Sequence, residues 1–144
     1  MNGTLKQVLM DVNFKERFDT LFDKHSHRNL FKKAEPGKVS QIIEEIGYQN
    51  TYVKNGKYFE VDDRTQNVSL NLSTDLGIVE FILNARIKEE GCGGPFGYMS
   101  SLIAKEDRIR KPRFSNYTEL KEILEEGFEI YEDIKAQLIK KSSQ

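Results

Sequence analysis

Gly91-Cys92-Gly93-Gly94-Pro95-Phe96-Gly97 sets a thiol inside the most glycine-dense stretch of the chain. Consecutive glycines let backbone amides converge on one point, as in phosphate-binding nests, and a thiol beside a base can act as a nucleophile. The spacing supports neither use. No Lys-Ser/Thr follows, the following helix of a dinucleotide fingerprint is missing, and the two histidines lie far away in sequence. The stretch reads as a bulged or flexible connection between strands. Cys92, Tyr98 and Arg86 are the groups to inspect if it instead serves a small enzyme or ligand-binding domain.

His25 and His27, with Asp19 or Asp23, offer the donor types that zinc takes. Two residues apart on a helix, however, two imidazoles point in different directions, and neither cysteine pairs nor a His-Glu-x-x-His run accompanies them. They read as solvated histidines near a helix C-terminus. No Gly-x-Ser-x-Gly elbow is present, and the many carboxylates single out no acid/base pair. The expectation is a chain with no catalytic residues, no metal and no cofactor.

The run from Lys105 to Arg113, with Phe114 and Tyr117 close behind, has the charge to touch phosphates. Glu106 and Asp107 dilute it, Pro112 marks a surface connection, and the net charge is −1, so no nucleic-acid partner is expected. Acid is concentrated elsewhere: residues 39–104 hold 9 Asp/Glu against 5 Lys/Arg, and residues 114–144 hold 7 against 4. Such asymmetry is either a solvated surface or an acidic docking face.

The elements that must position these groups follow from periodicity. Val68, Leu70 and Leu72 alternate with polar residues, a turn signal follows at Thr74-Asp75-Leu76-Gly77, and Val79, Phe81, Leu83, Ala85 and Ile87 alternate in turn. This predicts two antiparallel strands with one buried face, and an outer face of Ile78, Glu80, Ile82, Asn84, Arg86 and Lys88. Asn55-Gly56 predicts a type I′ hairpin within Tyr52 to Val61, and a further strand is expected over Tyr98 to Ala104. Leu5, Val8, Leu9 and Val12, then Phe14, Phe18, Leu21 and Phe22, predict one kinked or two consecutive N-terminal helices. Capping boxes are expected at Thr4/Gln7, Asn13/Glu16 and Asn116/Glu119. A short helix starts near Pro36 and stops at Gly47, and a long one runs from Asn116 past Leu138. The whole describes an α+β fold: an antiparallel sheet of about five strands with N-terminal helices and a long C-terminal helix on one face.

A chain of 144 residues with 31% charged and 38% hydrophobic composition fits one domain, 1–144, and is neither disordered nor membrane-embedded. No apolar run reaches the ~20 residues of a spanning helix, and Met1 to Lys6 lacks a secretory pattern, so no membrane partner and a cytoplasmic location are expected. The single cysteine agrees with a reducing compartment.

In its general build over the whole chain, rather than in a motif, this sequence resembles the immunity proteins of bacterial polymorphic toxin and contact-dependent inhibition systems. The resemblance implies a protein that binds one cognate toxin domain, often a nuclease with a basic cleft, and blocks it by occlusion. The residues expected to meet it are Glu60, Asp62, Asp63 and Glu80 as acidic contributors, with Ile78 and Ile82 as apolar anchors. A regulatory subunit pairing through an open sheet edge is a third reading, and the oligomeric state is left open.

Overall fold

A computed structural model of the chain describes residues 2–26, 29–65, 67–104 and 110–143, within which five helices and a five-stranded antiparallel sheet form an α+β fold. Leu5, Val8 and Leu9 bury one stripe of α1 (Asn2–Asp11), and Phe14, Phe18 and Leu21 one stripe of α2 (Phe14–Lys24). Asn13 separates the two at a left-handed φ of 59°, which asparagine tolerates better than most residues. The expected N-terminal caps do not form. Thr4 lies inside α1, and the Asn13 amide donates to the Glu16 carboxylate at 3.0 Å instead of accepting a backbone N–H. Helix α3 (Pro36–Ile46) begins on its proline and ends at Gly47 (φ 120°), burying Val39, Ile42 and Ile43.

The sheet is a meander in the order β1 (Asn50–Val53), β2 (Tyr58–Thr65), β3 (Val68–Ser73), β4 (Glu80–Ile87), β5 (Glu90–Pro95). Leu70 stands opposite Leu83 and Leu72 opposite Phe81, so the alternation expected from sequence sends one apolar set to one face. Phe59, Val61, Leu70, Leu72, Phe81 and Leu83 are all buried there. Helix α5 (Tyr117–Ser142) covers that face with Leu120, Ile123, Leu124, Phe128, Ile130, Tyr131, Ile134 and Leu138. It opens on a working cap, Asn116 Oδ1 accepting the Glu119 amide at 2.9 Å. Gly127 sets how closely the helix lies: a Cβ there would stand 2.1 Å from Phe81 Cζ.

Three expectations change. The hairpin register holds, with Val53 opposite Tyr58, but the positive φ falls on Lys57 (54°) rather than on Asn55 and Gly56, so the turn is not type I′. The segment expected as a strand over Tyr98 to Ala104 is helix α4 (Phe96–Ile103). Its short apolar run fits either period; the helix wins because Phe96 and Met99, three apart, both bury, Phe96 edge-on to Phe14 and Phe18 and stacked on Phe81. The fifth strand is instead the glycine-rich stretch itself, pairing Ala85 with Cys92 and Asn84 with Gly93. No helix among the described residues is long and apolar enough to cross a membrane.

Candidate functional site

Among the described residues no helix covers the outer sheet face. The strand register sets Thr51, Glu60, Asn71 and Ile82 in one row and Ser69 beside Asn84 in the next. At the β1–β2 side this face sinks into an open depression of about 410 Å³ lined by Thr51, Glu60, Val61, Asp62, Asp63, Ser69, Asn71 and Asn84. Its lining presents the Glu60 and Asp62 carboxylates, several neutral amide and hydroxyl groups, and no described lysine or arginine. It can therefore receive cations or hydrogen-bond donors.

The expected partner residues divide across this face. Glu60 and Asp62 are exposed at the depression, with Ile82 half-buried in the same row as Glu60. Glu80 and Ile78 lie at the far end, where residues 112–114 bond the start of β4: Val79 N–H donates to Pro112 at 2.8 Å, Phe114 N–H to Gly77 at 3.0 Å, and Ile78 bridges Arg113. There Lys111 holds Glu80 at 3.1 Å, and Arg110 lies 3.4 Å from Asp19, so these two cations of the basic run serve the protein's own carboxylates. Lys105 to Ile109 lie outside the described residues.

Asp63 is the exception. It follows Phe59 and Val61 at period two, and its side chain reaches the helix side, where Tyr131 Oη donates to it at 2.6 Å and Lys135 Nζ at 2.8 Å. Lys135 also reaches Glu132 at 2.8 Å, and Tyr48 donates to Glu132 in turn. Burial, and then the neighbouring carboxylates, push both tyrosine hydroxyls well above their usual range. Burial works to lower the Lys135 ammonium, but its bonds to Asp63 and Glu132 outweigh that and raise it. The cluster ties α5 to β2 and to Tyr48, two residues past α3, and the side of Asp63 was open to an alternation argument from sequence, since it shares parity with two core residues.

The glycine-rich stretch has a structural explanation. Gly93 has φ 125°, and a Cβ there would meet the Leu83 carbonyl oxygen at 2.3 Å, so close approach of β5 to β4 demands glycine. Cys92 is half-buried against the core, and burial pushes its thiol up, away from the thiolate a nucleophile needs. Arg86 donates to the Glu89 carbonyl at 2.8 Å, while Tyr98 is exposed on α4. Those groups do not converge with a base.

His25 is not solvated as expected but 6% exposed. It sits where α2 ends, against α5, with Nδ1 3.7 Å from Glu119 and Nε2 3.7 Å from Glu122. His27 lies outside the described residues. No group of three His, Cys, Asp or Glu among the described residues is arranged to hold a metal ion. Compared with known proteins, the chain matches no family, no characterised relative and no solved structure.

Proposed function

We propose that this chain is a protein-binding module that docks a basic partner on the outer face of its sheet and, like the immunity proteins it resembles, neutralises a cognate bacterial toxin domain by occluding its cleft. The observation that carries this reading is the depression on the outer sheet face, whose described lining presents the Glu60 and Asp62 carboxylates and no cation. Ile82, two strands over in the row of Glu60, supplies apolar contact near the acid, the combination of charged and desolvated groups that complementary interfaces use.

The test is co-expression with the toxin domain encoded by a neighbouring reading frame, scored by survival and by isolation of a complex. Exposed charge chiefly sets the association rate and buried apolar contact the dissociation rate. Glu60→Lys with Asp62→Lys should lower the on-rate about tenfold and flatten its salt dependence. Ile82→Asp should raise the off-rate. Absence of both complex and protection removes the reading.

A further inference from the structure

Helix α5 turns a second acidic surface outward, on the opposite side of the molecule from the sheet depression. Glu122, Glu125, Glu126 and Glu129 lie three and four residues apart, so each is the helical neighbour of another like charge over about 10 Å of axis. They line an open groove of about 280 Å³ together with His25 and a single cation, Lys24. Among the described residues, none of the four has an ion pair or hydrogen bond beyond the 3.7 Å approach of Glu122 to His25. Two further cations nearby are committed elsewhere, Lys121 to Glu45 at 3.3 Å and Arg17 to Asp133 at 2.8 Å. Among the described residues, Lys24 and His25 are thus the only groups in the groove that can offset the repulsion along this ridge.

The groove floor points to the same occupant independently. The His25 side chain is 7% exposed, and among the described residues neither ring nitrogen makes a hydrogen bond; Nδ1 is wholly enclosed, 3.7 Å from the Glu119 carboxylate. A buried imidazole is ordinarily satisfied. Its Nε2 and the Glu122 carboxylate, 3.7 Å apart, are placed to receive two N–H groups from one planar donor. A guanidinium presents that fork, whereas an ammonium does not.

We propose that the α5 groove is a docking site for a basic segment of a protein partner, seated by an arginine between His25 and Glu122 and steered by Glu125, Glu126 and Glu129. This does not rest on the toxin-occlusion reading, because Glu60 and Asp62 lie on the other side of the sheet.

The probe is a fluorescein-labelled octa-arginine peptide, its binding followed by anisotropy. The groove variant Glu122→Gln/Glu126→Gln is compared with Glu44→Gln/Glu89→Gln, which makes the same charge change at exposed positions away from the groove. The groove variant should lose about tenfold in affinity and the control less than about twofold, since two exposed charge contacts are together worth about one decade. Octa-lysine should bind the unaltered protein more weakly than octa-arginine. Free of peptide, the groove variant should unfold at a higher urea concentration, because repulsion has been removed. Equal losses in both variants would reduce the attraction to overall charge, and spermine competing as well as octa-arginine would make this a polyamine site. A lower urea midpoint would make the carboxylates structural. Each of these three results overturns the proposal.

Discussion

Replacing Gly127 by alanine should destabilise this protein, although alanine is the better helix former by about 1 kcal/mol. The new Cβ would lie 2.1 Å from Phe81 Cζ and 2.4 Å from Cε1, so the ring must retreat by about 1.5 Å to reach ordinary carbon contact. It has little room to do so. Phe81 is 1% exposed and its ring stacks on Phe96 at 5.0 Å, with Phe96 in turn held against Phe14 at 5.2 Å. Overpacking of this kind costs about 3 kcal/mol, leaving a net loss of about 2 kcal/mol after the helix gain. Phe81→Leu removes the ring tip and should cost about 1–2 kcal/mol alone. In that background Gly127→Ala should change sign and stabilise by up to about 1 kcal/mol, a coupling of about 3 kcal/mol. Urea unfolding of the four proteins by circular dichroism measures the cycle, provided their m-values agree. A stabilised Gly127→Ala in the unaltered background, or a coupling near zero, would refute the argument that this glycine sets the helix-to-sheet distance.

Phe81→Ala should cost about 3–5 kcal/mol and Glu80→Ala no more than about 0.5, and equal losses in urea melts would mean the face assignment is wrong. Asp63→Ala strips an acceptor from both Tyr131 and Lys135 and should cost about 2 kcal/mol, which Tyr131→Phe should not reproduce in full. Tyr48, Tyr131 and Lys135 are all raised above their ordinary values of 10.0 and 10.5, so above about pH 10 the unfolded chain releases protons that the fold retains. Stability from these groups is therefore complete below that pH and declines as pH rises through it, and Tyr131→Phe should shallow the decline in unfolding midpoints measured from pH 8 to 11. Cys92→Ser should leave partner binding unchanged, since the thiol is held protonated on the helix side of β5.

Long, strongly periodic segments were legible. β3 and β4 announce themselves because every second residue from Val68 to Leu72 and from Val79 to Ile87 is apolar, and the α5 stripe is wide enough to cover a sheet. Short segments were not. Residues 96–103 satisfy both periods, and only the tertiary cluster of Phe14, Phe18, Phe81 and Phe96 decides for helix. The strand β5 is hidden because its glycines carry no side-chain pattern; what requires glycine at 93 is the close Leu83 carbonyl, an approach of backbone to backbone. His25 read as solvated because a lone polar residue at a helix end gives no sign of what packs over it. The acidic character of α5 was visible as a charge count, but its unrelieved arrangement around that imidazole depends on where α2 ends in space.

The unbroken order of the meander gives the fold a timetable. Each strand pairs with one already made, so the sheet can assemble as the chain is synthesised, hairpin by hairpin, with no crossover to wait for. Its apolar face has no such luck. Leu138, the last buried residue of α5, follows Ile87 by about 50 residues, which at ~5–20 residues per second leaves the face without its covering helix for about 3–10 s. During that interval Leu70, Leu72, Phe81 and Leu83 depend on α1 to α4 and on whatever the cell provides. A chain stopped before Tyr117 stays in that condition permanently, exposing an apolar sheet face with two open edges, the arrangement from which strand-to-strand aggregation starts.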